Sequence, residues 1–171
     1  PADGSTFFAV AMGIYPNRHV MDASFSVMHN GEQVNVHASA RAHQDRAKCN
    51  SVGPVSVVVE EPMKRHRIVV DAPDHGLRAE LVFHATCLPY EEPVFRQRSG
   101  NRTVMNYTRL TQTGRWEGWY EVDGRRTTLD TRAVVGSRDR SWGVRPVGER
   151  VQTGAPVASV DRKSTRLNSS H

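Results

Sequence analysis

The feature that most restricts this chain is an alternation of apolar and polar residues with a period of two, repeated along nearly its whole length. Val34, Val36 and Ala38 alternate with Gln33, Asn35, His37 and Ser39, and Val55, Val57 and Val59 repeat the theme. Leu77, Ala79, Leu81, Phe83 and Ala85 alternate with Arg78, Glu80, His84 and Thr86. Side chains two residues apart share one face of a strand, so each run predicts a strand with one buried face. No long stretch with helical spacing competes. Asn30-Gly31 and Asp123-Gly124 supply the positive φ of two-residue hairpin turns, and Asp74-His75-Gly76 supplies a longer turn, which makes the strands antiparallel neighbours joined locally. About nine to eleven strands follow, enough for an all-β sandwich or a barrel whose sheet wraps upon itself. Residues 41–53 and 88–100 lack clear alternation and are expected to form long rim loops.

The last eleven residues, DRKSTRLNSSH, are what a widely used sequencing adapter gives on translation, so 161–171 are read as a library scar that stays disordered. The chain also opens on Pro1, and both ends are read as cut. Removing Arg162, Lys163, Arg166 and Asp161 lowers the formal net charge from +5 to +3. That mild excess is spread along the chain. Its densest run, Met63-Lys64-Arg65-His66-Arg67, opens a strand pattern, where basic residues commonly protect an exposed edge, and no reading motif lies beside it. No nucleic-acid partner is expected. No apolar run reaches the roughly 20 residues of a membrane helix, and the stretch beginning at Phe7 lacks the flank of a signal peptide. A protein without a membrane span, working in the cytoplasm, is expected.

Cys49 and Cys87 are too few and too far apart for a disulfide framework or a zinc site, and read as two separate thiols. The histidines are scattered, with no ligand pair of metal-site spacing. There is no phosphate-binding loop, no dinucleotide-binding glycine pattern, no H-E-x-x-H and no G-x-S-x-G. No metal and no cofactor are expected.

Two stretches break the rule of apolar inside and polar outside. In Arg115-Trp116-Glu117-Gly118-Trp119-Tyr120-Glu121, Trp116 and Tyr120 share one face while Trp119 stands between glutamates on the other. Met105 and Tyr107 share a face with Arg109. Either these strands are covered on both sides, or one side lines a cavity. His84, on a polar face, is solvated or faces a lumen. The other stretch is GSRDRSWGVRP, 136–146, which sets Arg138, Asp139 and Arg140 beside Trp142 and Gly143. Alternation places Arg138, Arg140 and Trp142 on one face, and Ser137, Asp139 and Ser141 on the other. Two readings stand. Asp139 is held in an arginine ion pair that locks one end of the fold, with Trp142 packed over it and Gly143 allowing a bend, or it is a carboxylic acid kept protonated in an apolar cavity.

The segment 136–143, preceded by Gly114-Arg115-Trp116-Glu117-Gly118-Trp119 and by Val122-Asp123-Gly124, resembles the lipocalin-like superfamily of carotenoid 1,2-hydratases and AttH-type proteins, closest to their uncharacterised bacterial branch. The resemblance spans 7–148 and rests on the Asp-x-x-Trp core. It implies two successive lipocalin-like β-barrels with the motif near their junction: a first domain over 1–146 and the start of a second over 147–160. The second would cover Trp142, Arg145 and the strands around Trp119. Characterised members bind or act on large apolar molecules. In the hydratases the aspartate that Asp139 matches is thought to protonate a carbon–carbon double bond, but their motif reads Asp-x-Glu-Trp, and Ser141 stands here at the glutamate position.

Two functions of different class follow. One is a barrel that binds a large apolar ligand, an isoprenoid, steroid-like or fatty molecule, through Tyr107, Trp116, Trp119, Trp142 and His84. The other is an acid-assisted isomerase, hydratase or cyclase in which Asp139 donates the proton and Arg138 and Arg140 tune it.

Overall fold

The computed structural model describes residues 1, 3–29 and 31–145. The second β domain expected from 147, the tail 161–171 and Asn30 of the first hairpin turn lie outside them. Among the described residues there are twelve strands and three short 3-10 turns. The fold is all-β, a strongly curled antiparallel sheet that forms a half-barrel.

Strands β1 (Thr6–Tyr15), β2 (Val20–His29) and β3 (Glu32–Arg41) make a three-stranded sheet. The larger sheet runs β11-β10-β7-β6-β5-β4, with β8, β9 and β12 also paired to β10. Its members are β4 (Ser51–Val52), β5 (Val55–Glu61), β6 (Arg65–Ala72), β7 (Leu77–Ala85), β8 (Tyr90–Glu91), β9 (Phe95–Ser99), β10 (Arg102–Val122), β11 (Arg125–Leu129) and β12 (Val135–Val144). Every pairing is antiparallel, as locally joined strands require.

The small sheet packs into the concave face of the large one. Met21, Ala23, Phe25 and Val27 of β2 point into the core with Val36 of β3, and Phe8, Val10, Met12 and Ile14 of β1 lie against them. From the large sheet come Val55, Ile68, Val70, Leu77, Ala79, Leu81, Phe83, Trp116 and Tyr120. Rings fill the centre. Phe8 meets Trp116 edge to face at 5.1 Å, and Phe83 meets Trp116 at 5.2 Å, the geometry that aromatic quadrupoles favour. Thr6 Oγ1 and Tyr120 Oη lie 3.0 Å apart and tie the two sheets through a hydrogen bond.

Turn chemistry follows the sequence. Asp123 and Gly124 have φ of 49° and 77°, the pair of positive values that joins β10 to β11 in two residues. Two expectations need correction. Residues 88–100 are not a bare loop, for they contain β8 and β9, whose residues are exposed on both faces and so show no alternation. The run from Met63 to Arg67 does not guard an edge, because β6 lies between β5 and β7. Its cations pair along the ladder instead. Lys64 meets Glu61, Arg65 and Arg67 meet Glu60, and Arg67 also meets Glu80.

Candidate functional site

Strand β10 outruns its neighbours. Over 114–122 it pairs with β7 above the core, while over 102–113 it continues past the end of β7, flanked by β8 and β9 on one side and β12 on the other. At about 3.3 Å per residue that extension is roughly 40 Å long. It forms the mouth of the half-barrel, with one face continuing the concave side and one the convex side.

The concave face is set by register. Gln112 stands opposite Arg138, Leu110 opposite Arg140 and Thr108 opposite Trp142, so Arg138, Arg140 and Trp142 point to the same side as the core residues Trp116 and Tyr120. Gln112 is the buried polar residue at its centre, 2 % exposed. Its Nε2 donates to the carbonyls of Met63 at 2.9 Å and Cys87 at 2.7 Å, and its Oε1 accepts from Arg138 Nε at 2.9 Å. All of its principal hydrogen-bonding capacity is therefore used, as burial of an amide demands. The Arg138 Nη2 donates to Met63 Sδ at 3.3 Å. Burial, and then the charge of Arg140, hold the Arg138 guanidinium below its ordinary value, although it stays cationic at any physiological pH.

His66 enters the same face from β6, in line with the buried Ile68 and Val70. Its ring meets Phe83 at 6.3 Å, and its Nδ1 is buried with no hydrogen-bond partner among the described residues. Burial pushes its pKa down, and the charges of Arg138 and Arg140 push it further the same way.

The convex face is different. Asp139 points there, opposite Thr111, with its side chain 62 % exposed and Oδ2 3.8 Å from Arg109 Nε. Arg109 also lies 3.8 Å from Glu92. Arg138 and Arg140 make no ion pair with Asp139; they face the other way. Among the described residues, nothing around Asp139 supplies the dry enclosure in which a carboxylic acid serves as a proton donor near neutrality. Tyr107 is also convex, stacked on Phe95 at 5.3 Å with the Arg145 guanidinium 3.9 Å from its ring centre. Gly143 opposite it has φ of 133°, and a side chain there would strike the backbone of Asn106 and Tyr107, so the position requires glycine. An open depression of about 440 Å³ on this side is lined by Thr86, Thr113, Arg115, Val135 and Ser137 with two glycines.

The residues expected to bind a ligand therefore separate. Trp116 is core, 7 % exposed. Trp119 is convex, beneath the Arg126 guanidinium at 3.7 Å, and His84 is convex, its Nε2 2.8 Å from Glu117 Oε1. Trp142 alone of the set stands on the concave face at the mouth, 49 % exposed. Gln112, His66 and Met63 were not foreseen as site residues. The signal for Gln112 was present, since it shares parity with Leu110 and Trp116 in one unbroken strand.

The profile of a family described as "Family of unknown function (DUF8625)" matches residues 1–166, nearly the entire chain. The chain belongs to that family. The match includes 161–166 of the segment read above as adapter-derived. No curated protein and no solved structure matches the chain. No group of three or more histidine, cysteine or acidic residues able to hold a metal ion occurs among the described residues, nor does any helix there have the length and apolarity to cross a membrane.

Proposed function

We propose that this protein is a binding protein that takes a large apolar molecule, isoprenoid, steroid-like or fatty, at the mouth of its half-barrel. One observation carries the reading. Trp142 is 49 % exposed on the concave face, and Val59, Met63 and Val144, at the same end of the sheet, are 53 %, 41 % and 53 % exposed. Scattered exposed apolar residues are ordinary, but Trp142 and Val144, two residues apart on the strand face that continues the core side, form the kind of surface that ligands or partners cover. Among the described residues the interior is filled, with Phe25, Leu77, Leu81, Phe83 and Tyr120 at 1 % exposure or less.

The resemblance to the lipocalin-like superfamily of carotenoid 1,2-hydratases and AttH-type proteins supports the same ligand class. On this reading the protein works in the cytoplasm. The test is a tryptophan-fluorescence titration of the full chain with farnesol and dodecanol, repeated with Trp142→Phe. Saturable emission changes that vanish in the variant support the reading. Saturable changes that persist undiminished in Trp142→Phe place the ligand elsewhere and overturn it.

A further inference from the structure

We infer that Arg138 and Arg140, with His66 beside them, receive an oxyanion, so that the ligand of the mouth is an amphipathic acid, a carboxylate or phosphate on an apolar tail, and not a neutral hydrocarbon. This rests on the reading above.

Several arginines of the large sheet are matched to acids: Arg65 and Arg67 to Glu60, Arg78 to Asp71, Arg126 to Glu121. Arg138 and Arg140 have no acidic side chain within ion-pair distance among the described residues, and whereas the other unpaired arginines of this sheet, Arg96, Arg98, Arg102, Arg115 and Arg125, are exposed, Arg138 is partly buried. Two residues apart on one strand face, the side chains of Arg138 and Arg140 start about 7 Å from each other, where like charges repel. Asp139, between them in sequence, is turned to the opposite face and drawn to Arg109. Glu91, the acid whose register places it on the concave side, stands beyond Leu110, one strand further off.

The guanidinium of Arg138 is also held in place by neutral groups. Its Nε is fixed by the Gln112 amide oxygen and one Nη by the Met63 sulfur, so it is oriented without being neutralised. Gln112 is fixed in turn by two carbonyls. An oriented, half-buried guanidinium with unspent charge is the usual element of carboxylate and phosphate recognition. Trp142, next along the same face after Arg140, gives the tail of such a ligand an apolar place to lie.

His66 reports on the site. The charged groups acting on it are Arg138 and Arg140. Lys64, at the head of its hairpin, is paired with Glu61, and Arg67 points to the other face with Glu60 and Glu80. An anion seated between the two arginines cancels the repulsion that lowers the His66 pKa and moves that pKa upward.

The experiment compares matched ligands on the full chain: dodecanoate against dodecanol, farnesyl phosphate against farnesol, and acetate and inorganic phosphate alone, read by Trp142 emission and by calorimetry. The expected result is at least ten-fold tighter binding of the acids than of the matched alcohols. Arg140→Gln, which touches no hydrogen-bond network, and Arg138→Gln should each erase most of that preference. The His66 ring signal should titrate at higher pH with dodecanoate bound. The larger of the two acid-over-alcohol preferences tells carboxylate from phosphate. Equal binding of acids and alcohols overturns the oxyanion inference and leaves the apolar reading standing. Acetate and phosphate binding as tightly as the long-chain acids keeps the oxyanion site and removes the apolar reading. No binding by any of the six overturns both.

Discussion

Gly136 of β12 lies directly beneath the indole of Trp116 on β10, so close that a methyl group there would collide with Nε1. Gly114, its cross-strand partner, is overlain in the same way by Phe83. The two glycines form a shallow trough across the sheet, and the two rings lean into it. The glycine that opens the segment 136–143 thus serves packing, and the site begins two residues later, where Arg138 meets Gln112.

Gly136→Ala should cost about 1–3 kcal/mol, as overfilling a packed core does. The backbone there needs no positive φ, so the loss comes from the clash with Trp116. Urea unfolding of Gly136→Ala, Trp116→Phe and the double variant measures this. The double variant should lose less than the sum of the two single losses, because the smaller ring makes room for the methyl.

Gln112→Leu keeps the volume but leaves the Met63 and Cys87 carbonyls without their side-chain donor and the Arg138 Nε without its acceptor. An expected loss of about 1–3 kcal/mol follows from stranding buried polar groups. Arg138→Gln should cost less, since it strands the Gln112 oxygen and otherwise removes only a donor to the weakly accepting Met63 sulfur. A lower urea midpoint with an unchanged slope would mark both as losses of stability.

The pH dependence of stability has a defined sign at His66. Burial, then Arg138 and Arg140, place its folded pKa below the ordinary histidine value of 6.5. Between the two values the unfolded chain holds more protons than the folded one, so stability falls as pH drops through that window and is fully present above it. His66→Asn should flatten the fall between pH 7 and 5 in urea midpoints. The wild-type chain should show a shallower fall with dodecanoate bound.

The two thiols should differ in reactivity. Cys49 is buried, while Cys87 is exposed and its Sγ lies 3.2 Å from Thr113 Oγ1, a hydrogen bond that holds its pKa below the usual thiol value. A disulfide reagent at pH 7.5 should modify Cys87 rapidly and Cys49 only on unfolding. Thr113→Val should slow the first phase by lowering the thiolate fraction.

Much of the fold was legible because one face of most strands is buried. Val34, Val36 and Ala38, or Leu77 through Ala85, carry their orientation in their own alternation. β9 does not, since all five of its residues are exposed and only its pairing with β10 makes it a strand. The faces of β12 were also readable, and Arg138, Arg140 and Trp142 do share a side. What could not be read was the company they keep. His66 comes from a hairpin some 70 residues earlier in the chain, within a basic run whose neighbours pair with Glu60, Glu61 and Glu80. Nor could local alternation reveal that Trp119 and Tyr107 turn outward to guanidinium groups, because an aromatic ring under an arginine looks the same in sequence as one in a core.

The chain has three tryptophans, and they occupy three different environments: Trp116 in the core, Trp119 under Arg126, and Trp142 at the mouth. Each gives one indole N–H signal in a proton–nitrogen correlation spectrum. During titration of the full chain with dodecanoate, the Trp142 signal should shift progressively to saturation while those of Trp116 and Trp119 stay in place. A shift of Trp116 at the same ligand concentrations would put the molecule inside the barrel, and a spectrum in which Trp142 never moves would contradict binding at the mouth altogether.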